Sequence, residues 1–216
     1  MDKSVIEKLK KDFAKANIEM FFCENGKDAK EKIFSLMAEY AKSKNKEPGE
    51  VSVSFGGSVT LHQIGVRAEV EGLGYDVSNP AKYQTPAEQE RARKLALISD
   101  IFLCGANAIT ENAEIVNIDG NGNGVASMIC GPDLVIIAAG VNKLVKNVEE
   151  GYKRVKDIAC PKNAVRLSKK TPCATNEKCF NCFINGETIC SHTVITRRFS
   201  QLDRVKLVLI NDELGY

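Results

Sequence analysis

Between residues 51 and 159, apolar runs too short for a helix alternate with stretches of helical period, and this alternation restricts the fold more than any other feature. "VSVSF" (51–55) is a β-rich segment that runs into "GGS", after which the pattern from Val59 to about Glu71 is helical. "PAEQERARKLALISD" (86–100) opens with Pro86 near the first helical turn, a position proline tolerates. "IFLCGANAI" (101–109) and "AEIVNID" (113–119) read as strands, "DLVIIAAG" (133–140) as a third, buried one, and "NVEEGYKRVKDIA" (147–159) as the helix after it. Strands interleaved with helices require a sheet covered on both faces, so the fold class is α/β.

The flanks fit around that core. Val5, Ile6, Leu9 and Phe13, then Ile33, Phe34, Met37, Tyr40 and Ala41, recur at helical spacing, which predicts an N-terminal helical pair over residues 1–50 that packs on the core and ends in a linker at 43–50. The α/β core spans 51–168. A cysteine-rich loop follows over 169–216 and ends in "VKLVLIND" (205–212), a last strand expected to return to the sheet.

Charge narrows the partners. Thirty basic and 28 acidic residues leave a net charge of +2, which gives no electrostatic footprint for nucleic acid. The lysine-rich stretch Lys42–Lys46 precedes Pro48 and Gly49 and reads as a solvated linker. No apolar run reaches the roughly 20 residues of a membrane helix, and the start "MDKSVIEKLKKDFAK" lacks a signal-peptide core, so no membrane partner and a cytoplasmic location are expected. In that compartment the eight cysteines favour metal binding or reactivity over disulfides. Cys23, Cys104, Cys130 and Cys160 lie far apart in apolar surroundings and read as small buried hydrophobes.

Two constellations could bind or react. In "VSVSFGGSVTLHQIG" a strand meets Gly56, Gly57 and Ser58 and then a helix carrying Thr60, so backbone N–H groups could receive a phosphate or carboxylate. The alternative is a tight turn with Ser58 as the helix cap and His62 structural. In "CGANAITENAEIVNIDGNGNG" (104–124), Asn107, Thr110 and Glu111 lie where a strand ends, and Glu111 could be a general base or a covalent nucleophile toward an acyl substrate. The competing reading is a hairpin with Asp-Gly and Asn-Gly turn chemistry.

"GGSVTLHQIG", "GANAITENAEIVNIDGNGNGVASMICGP" and "VIIAAGVNKLVKN" together resemble the successive signature segments of the lactate-utilisation (LUD) domain family, which includes LutC-like proteins. The resemblance covers most of residues 1–168 in order. It implies a sheet similar to the ribose-5-phosphate isomerase and coenzyme A transferase class, and a ligand pocket bounded by Gly57, Ser58, Thr60, Asn107, Thr110, Glu111, Asn142 and Lys143. It also implies a place in lactate-type organic-acid metabolism among iron–sulfur proteins.

The third constellation departs from the simplest LutC-like pattern. "TPCATNEKCFNCFINGETICS" (171–191) has the spacing C-x5-C-x2-C-x7-C, so Cys173, Cys179, Cys182 and Cys190 could reach one centre from a single loop. Spacing leaves iron–sulfur and zinc both open. With the resemblance added, a 4Fe-4S cluster for electron transfer is the expectation and zinc the alternative; His192 could replace one ligand or stay exposed. The expected function is a redox component of lactate oxidation that binds a small anionic metabolite and passes electrons to an iron–sulfur or flavin partner protein, with self-association into a homo-oligomer compatible. The alternatives are a non-catalytic metabolite-binding regulator with structural zinc, or an isomerase or acyl transferase using Glu111.

Overall fold

The computed structural model describes residues 1–78 and 84–216. Six strands form one parallel sheet in the order β1-β10-β7-β4-β2-β3, comprising β1 (Ile18–Cys23), β10 (Val205–Ile210), β7 (Leu134–Gly140), β4 (Ile101–Gly105), β2 (Ser52–Phe55) and β3 (Asp76–Ser78). β7 is buried along its whole length, as a central strand with helices on both faces must be.

The two-residue period of each strand splits the apolar residues into two cores. Ile101, Leu103, Leu134, Ile136, Ala138, Val208 and Ile210 face one side, under α2 (Gly26–Ser43). Phe102, Cys104, Val135, Ile137, Ala139, Leu207 and Leu209 face the other, under α1 (Lys3–Lys15). The last strand thus lies inside the sheet, between β1 and β7, rather than at an edge.

The N-terminal region is more than a helical pair. Asp2 caps α1 and Asn25 caps α2, but between them "IEMFFC" pairs in register with β10, from Ile18 opposite Val205 to Cys23 opposite Ile210. Residues 1–50 therefore supply an edge strand of the main sheet. The reason is a left-handed turn at Asn17 (φ 57°) that ends α1 and sends two aromatic residues, Phe21 and Phe22, into extended backbone.

Three sequence readings divide on inspection. The stretch 59–71 is two short helices, α3 (Val59–Gln63) and α4 (Val66–Glu69), broken at Gly65, whose φ of +78° suits glycine. The run 101–109 ends as β4 at Gly105 and restarts as β5 (Ala108–Thr110) in a second sheet, ordered β8 (Leu144–Val145), β5, β6 (Ile115–Asp119), β9 (His192–Thr196). The helix after β7 runs as α7 (Val148–Arg154), one π turn, and α8 (Cys160–Arg166). The remaining helices are α5 (Pro86–Leu95), α6 (Asn123–Ile129) and α9 (Pro172–Asn176). Among the described residues no helix is long and apolar enough to cross a membrane.

Candidate functional site

Neighbouring parallel strands β2, β4 and β7 all point their carboxyl ends the same way, and ligands in open α/β sheets collect at such ends. A cavity of about 460 Å³ opens there. β2 delivers Gly56, Gly57 and Ser58, β4 delivers Gly105 to Asn107, and the turn after β7 delivers Lys143. Gly56 is tightly packed, since a Cβ there would stand 3.1 Å from both Cys104 Cβ and Phe102 Cζ. Gly57 faces open space. Ser58 caps α3, its Oγ accepting the Leu61 N–H at 3.2 Å.

Lys143 is the most constrained polar group of the site, with only 4% of its surface exposed. Its Nζ donates to Thr60 Oγ1 at 3.1 Å and to the Ala106 carbonyl at 3.0 Å. Thr60 in turn donates to the Leu214 carbonyl at 3.3 Å. Residues 212–216 pass over this pair like a strap, fixed by Asn142 Oδ1 to the Leu214 N–H and by Gln63 Oε1 to the Gly215 N–H. Gly215, at φ +71°, is pressed so closely that a Cβ would lie 2.5 Å from Thr60 Oγ1 and 2.8 Å from Lys143 Nζ. Both acceptors of Lys143 are neutral, and burial, reinforced by the nearby Arg154 guanidinium, pulls the amine down to about 7.

Arg154 stands behind this floor as a positioning residue. Its Nε donates to the Asn142 carbonyl and its Nη1 to the Asn107 carbonyl, which ties the ends of β4 and β7 together. Asn107 lines the cavity, but its side chain is occupied: Oδ1 accepts the Ile118 N–H at 2.9 Å, while its own N–H donates to Asn117 Oδ1 at 3.0 Å. "DGNGNG" is not a hairpin turn. Asp119 accepts four backbone N–H groups, from Asn121, Gly122, Gly124 and Val125, and so ties β6 to the start of α6.

The sequence-predicted residues separate accordingly. Gly56, Gly57, Ser58, Asn107 and Lys143 come together around the cavity; Thr60 lies beneath it, wholly buried. Thr110 and Glu111 do not reach it. After Asn107 the chain enters the second sheet, and a strand's rise of about 3.3 Å per residue carries it away. Thr110 Oγ1 closes the β5–β6 turn by accepting the Glu114 N–H, and Glu111 is exposed, its N–H held by the Val145 carbonyl and its own carbonyl by Lys8. Glu111 is therefore not among the residues that line this cavity.

Three cavity residues are invisible to the motif search: Arg67 on α4, Arg93 on α5 and Arg166 on α8. The one signal that could have found any of them is Arg67 inside the apolar helical stretch "IGVRAEV".

The cysteine segment differs from its expected form. Among the described residues no three His, Cys, Asp or Glu side chains are grouped so that they could hold a metal ion, although Cys173, Cys179 and Cys190 all lie within electrostatic range of Cys160. Cys173 is buried with its Sγ 3.2 Å from Thr171 Oγ1, and Cys182 Sγ turns to Thr188 Oγ1 at 4.0 Å, within its own loop. All eight cysteines are free thiols. The sulfur contact that does form pairs Cys190 with Cys160, which sequence reasoning set aside as a simple hydrophobe. The two pack together beside Val155 and Ala159. The hydrogen bond between them, assisted by Lys156 and opposed by burial, draws Cys190 down to about 6, and the same bond with burial drives Cys160 upward.

The crystal structure of a DUF162-family protein from Deinococcus radiodurans is similar to this chain at 12% identity, covering 96% of each chain with a TM-score of 0.45. No curated protein matches the sequence. The LUD domain profile matches residues 6–210, nearly the whole sheet from α1 to the end of β10, and the chain therefore belongs to the LUD domain family.

Proposed function

We propose that this LUD-domain protein binds a small organic acid of lactate-type metabolism in the cavity at the ends of β2, β4 and β7, with Lys143 as the group that receives the carboxylate. The observation that carries this reading is a buried amine whose hydrogen-bond partners are both neutral oxygens, in a cavity lined by further cations. A lysine in such a place is poorly solvated when charged, and an arriving carboxylate supplies the missing counter-charge. Family membership supports the metabolic class. The reading rests on the cavity alone and assigns the cysteine segment no step.

Binding should couple to a proton. Free Lys143 loses its proton near 7, and a bound anion favours the ammonium, so the complex formed above that pH takes up protons. Calorimetric titration with lactate and with glycolate, repeated at pH about 8 in buffers of different ionisation enthalpy, measures this uptake. The expected result is binding with a fraction of a proton taken up, and loss of both in Lys143→Met. Unchanged binding in that variant would refute the assignment.

A further inference from the structure

The same cavity carries a charge pattern that a simple monocarboxylate does not satisfy. Among the described lining residues are four cationic side chains, Arg67, Arg93, Lys143 and Arg166, and one carboxylate side chain, Asp119. Asp119 makes no ion pair with any of the four among the described residues; both its oxygens accept backbone N–H groups at 2.9–3.1 Å.

Arg67 is the sharpest case. Its guanidinium lies over the Phe55 ring, with Cζ 5.0 Å from the centroid, and its Nε is buried without a hydrogen-bond partner among the described residues. Burial first, then the like charge of Arg166, push its pKa below the usual guanidinium value, with only partial relief from Glu71. Two guanidinium groups have been brought within electrostatic range of each other at one opening. Arg166 is also held in orientation, because Asn163 Oδ1 accepts from its Nε at 2.9 Å and from its Nη2 at 2.6 Å, leaving the Nη1 edge available.

A pair of guanidinium groups with open donor edges, only partly compensated by Glu71, is an arrangement that binds a phosphoryl group, since its oxygens accept the parallel N–H bonds that a guanidinium presents. Space agrees with charge. A volume of about 460 Å³ falls in the range used by ligands considerably larger than a three-carbon acid.

We propose that the natural ligand is a phosphorylated organic acid, its carboxylate directed to Lys143 and its phosphoryl group held by Arg67 and Arg166, with Arg93 adding positive charge. The inference rests on the reading that this cavity is the ligand site, and deepens it by assigning a second anionic subsite.

Glycolate and phosphoglycolate differ only in the phosphoryl group and separate the two ideas. Their affinities are measured by calorimetric titration at one ionic strength on the wild type, Arg67→Gln and Arg166→Gln, with circular dichroism as the check on folding. Phosphoglycolate is expected to bind about ten- to a hundredfold tighter than glycolate, as one or two charge-assisted bonds provide. Each arginine variant should lower phosphoglycolate affinity about tenfold while leaving glycolate nearly unaffected. Arg166 is exposed, so its variant keeps the test usable if Arg67→Gln does not fold. Equal wild-type affinities would overturn the second subsite while leaving the carboxylate reading intact. An equal loss of both ligands in Arg166→Gln would also overturn it, and binding of neither compound would sink both ideas.

Discussion

Replacing Lys143 by Met should make the protein more stable at neutral and lower pH, and less stable in alkali. The folded environment holds this amine near 7, against an ordinary 10.5. The depressed value means that the unfolded chain binds more protons between these limits, so wild-type stability rises with pH across that window. The penalty for burying the charged form is complete below pH 7 and gone above about 10.5. The gap of about 3.5 pH units corresponds to roughly 5 kcal/mol. Against it stand two lost hydrogen bonds, including one that leaves the Ala106 carbonyl without its Lys143 donor, together worth about 1–3 kcal/mol. Methionine fills nearly the same space, so Lys143→Met should gain about 2–4 kcal/mol at pH 6 and lose about 1 kcal/mol or more near pH 10.5. Urea denaturation of both proteins at matched ionic strength, in steps from pH 6 to 10.5, reads the difference directly. It should change by about 1.4 kcal/mol per pH unit above 7. A difference that stays flat across that range, or a variant less stable than wild type at pH 6, would refute the picture of a desolvated amine without an anionic partner. A site that costs stability in this way is what a binding residue, rather than a structural one, predicts.

Two other outcomes follow from groups away from the cavity floor. Burial by itself would raise the Asp100 carboxyl, but hydrogen bonds from Lys46, from the Ser52 N–H and hydroxyl, and from Tyr40 outweigh it and hold the group at about 2. Because that value is depressed, its stabilisation is present above the ordinary carboxylate range and is lost as pH falls from about 4 to 2; Asp100→Asn should cost roughly 2 kcal/mol at pH 7 and little at pH 2, seen by thermal unfolding. In the cysteine segment, Cys190 should be alkylated by iodoacetamide with a pH midpoint near 6, and Cys160→Ala should shift that midpoint upward by removing the hydrogen bond, as peptide mass spectrometry would show. An unshifted midpoint in that variant would mean that the two thiols are not in contact.

The cavity residues that sequence reading reached share one property: they sit beside a strand that announces itself. Gly56 to Ser58 follow "VSVSF", Asn107 follows "IFLCG", and Lys143 follows the wholly buried "LVIIAAG". The misplaced ones have the opposite history. Thr110 and Glu111 appeared adjacent to Asn107 because they are close in sequence, but the chain changes sheets between them. Strand β1 is a short run between two clear helical stripes, and β9 is the β-branched "HTVIT" next to the cysteine loop. Cys160 looked inert because apolar neighbours say nothing of which thiol approaches from thirty residues away.

By itself the sequence determined an α/β sheet covered by helices on both faces and the glycine-rich turn where β2 ends. These follow from local periodicity, which each segment carries whatever its neighbours do. Only the tertiary structure decided that Arg67, Arg93, Lys143 and Arg166 open on one cavity, that Glu111 does not, and that Cys160 rather than Cys182 meets Cys190. The reason is that such meetings depend on which distant strands pair and which way the chain turns after each. No short stretch of sequence contains that information.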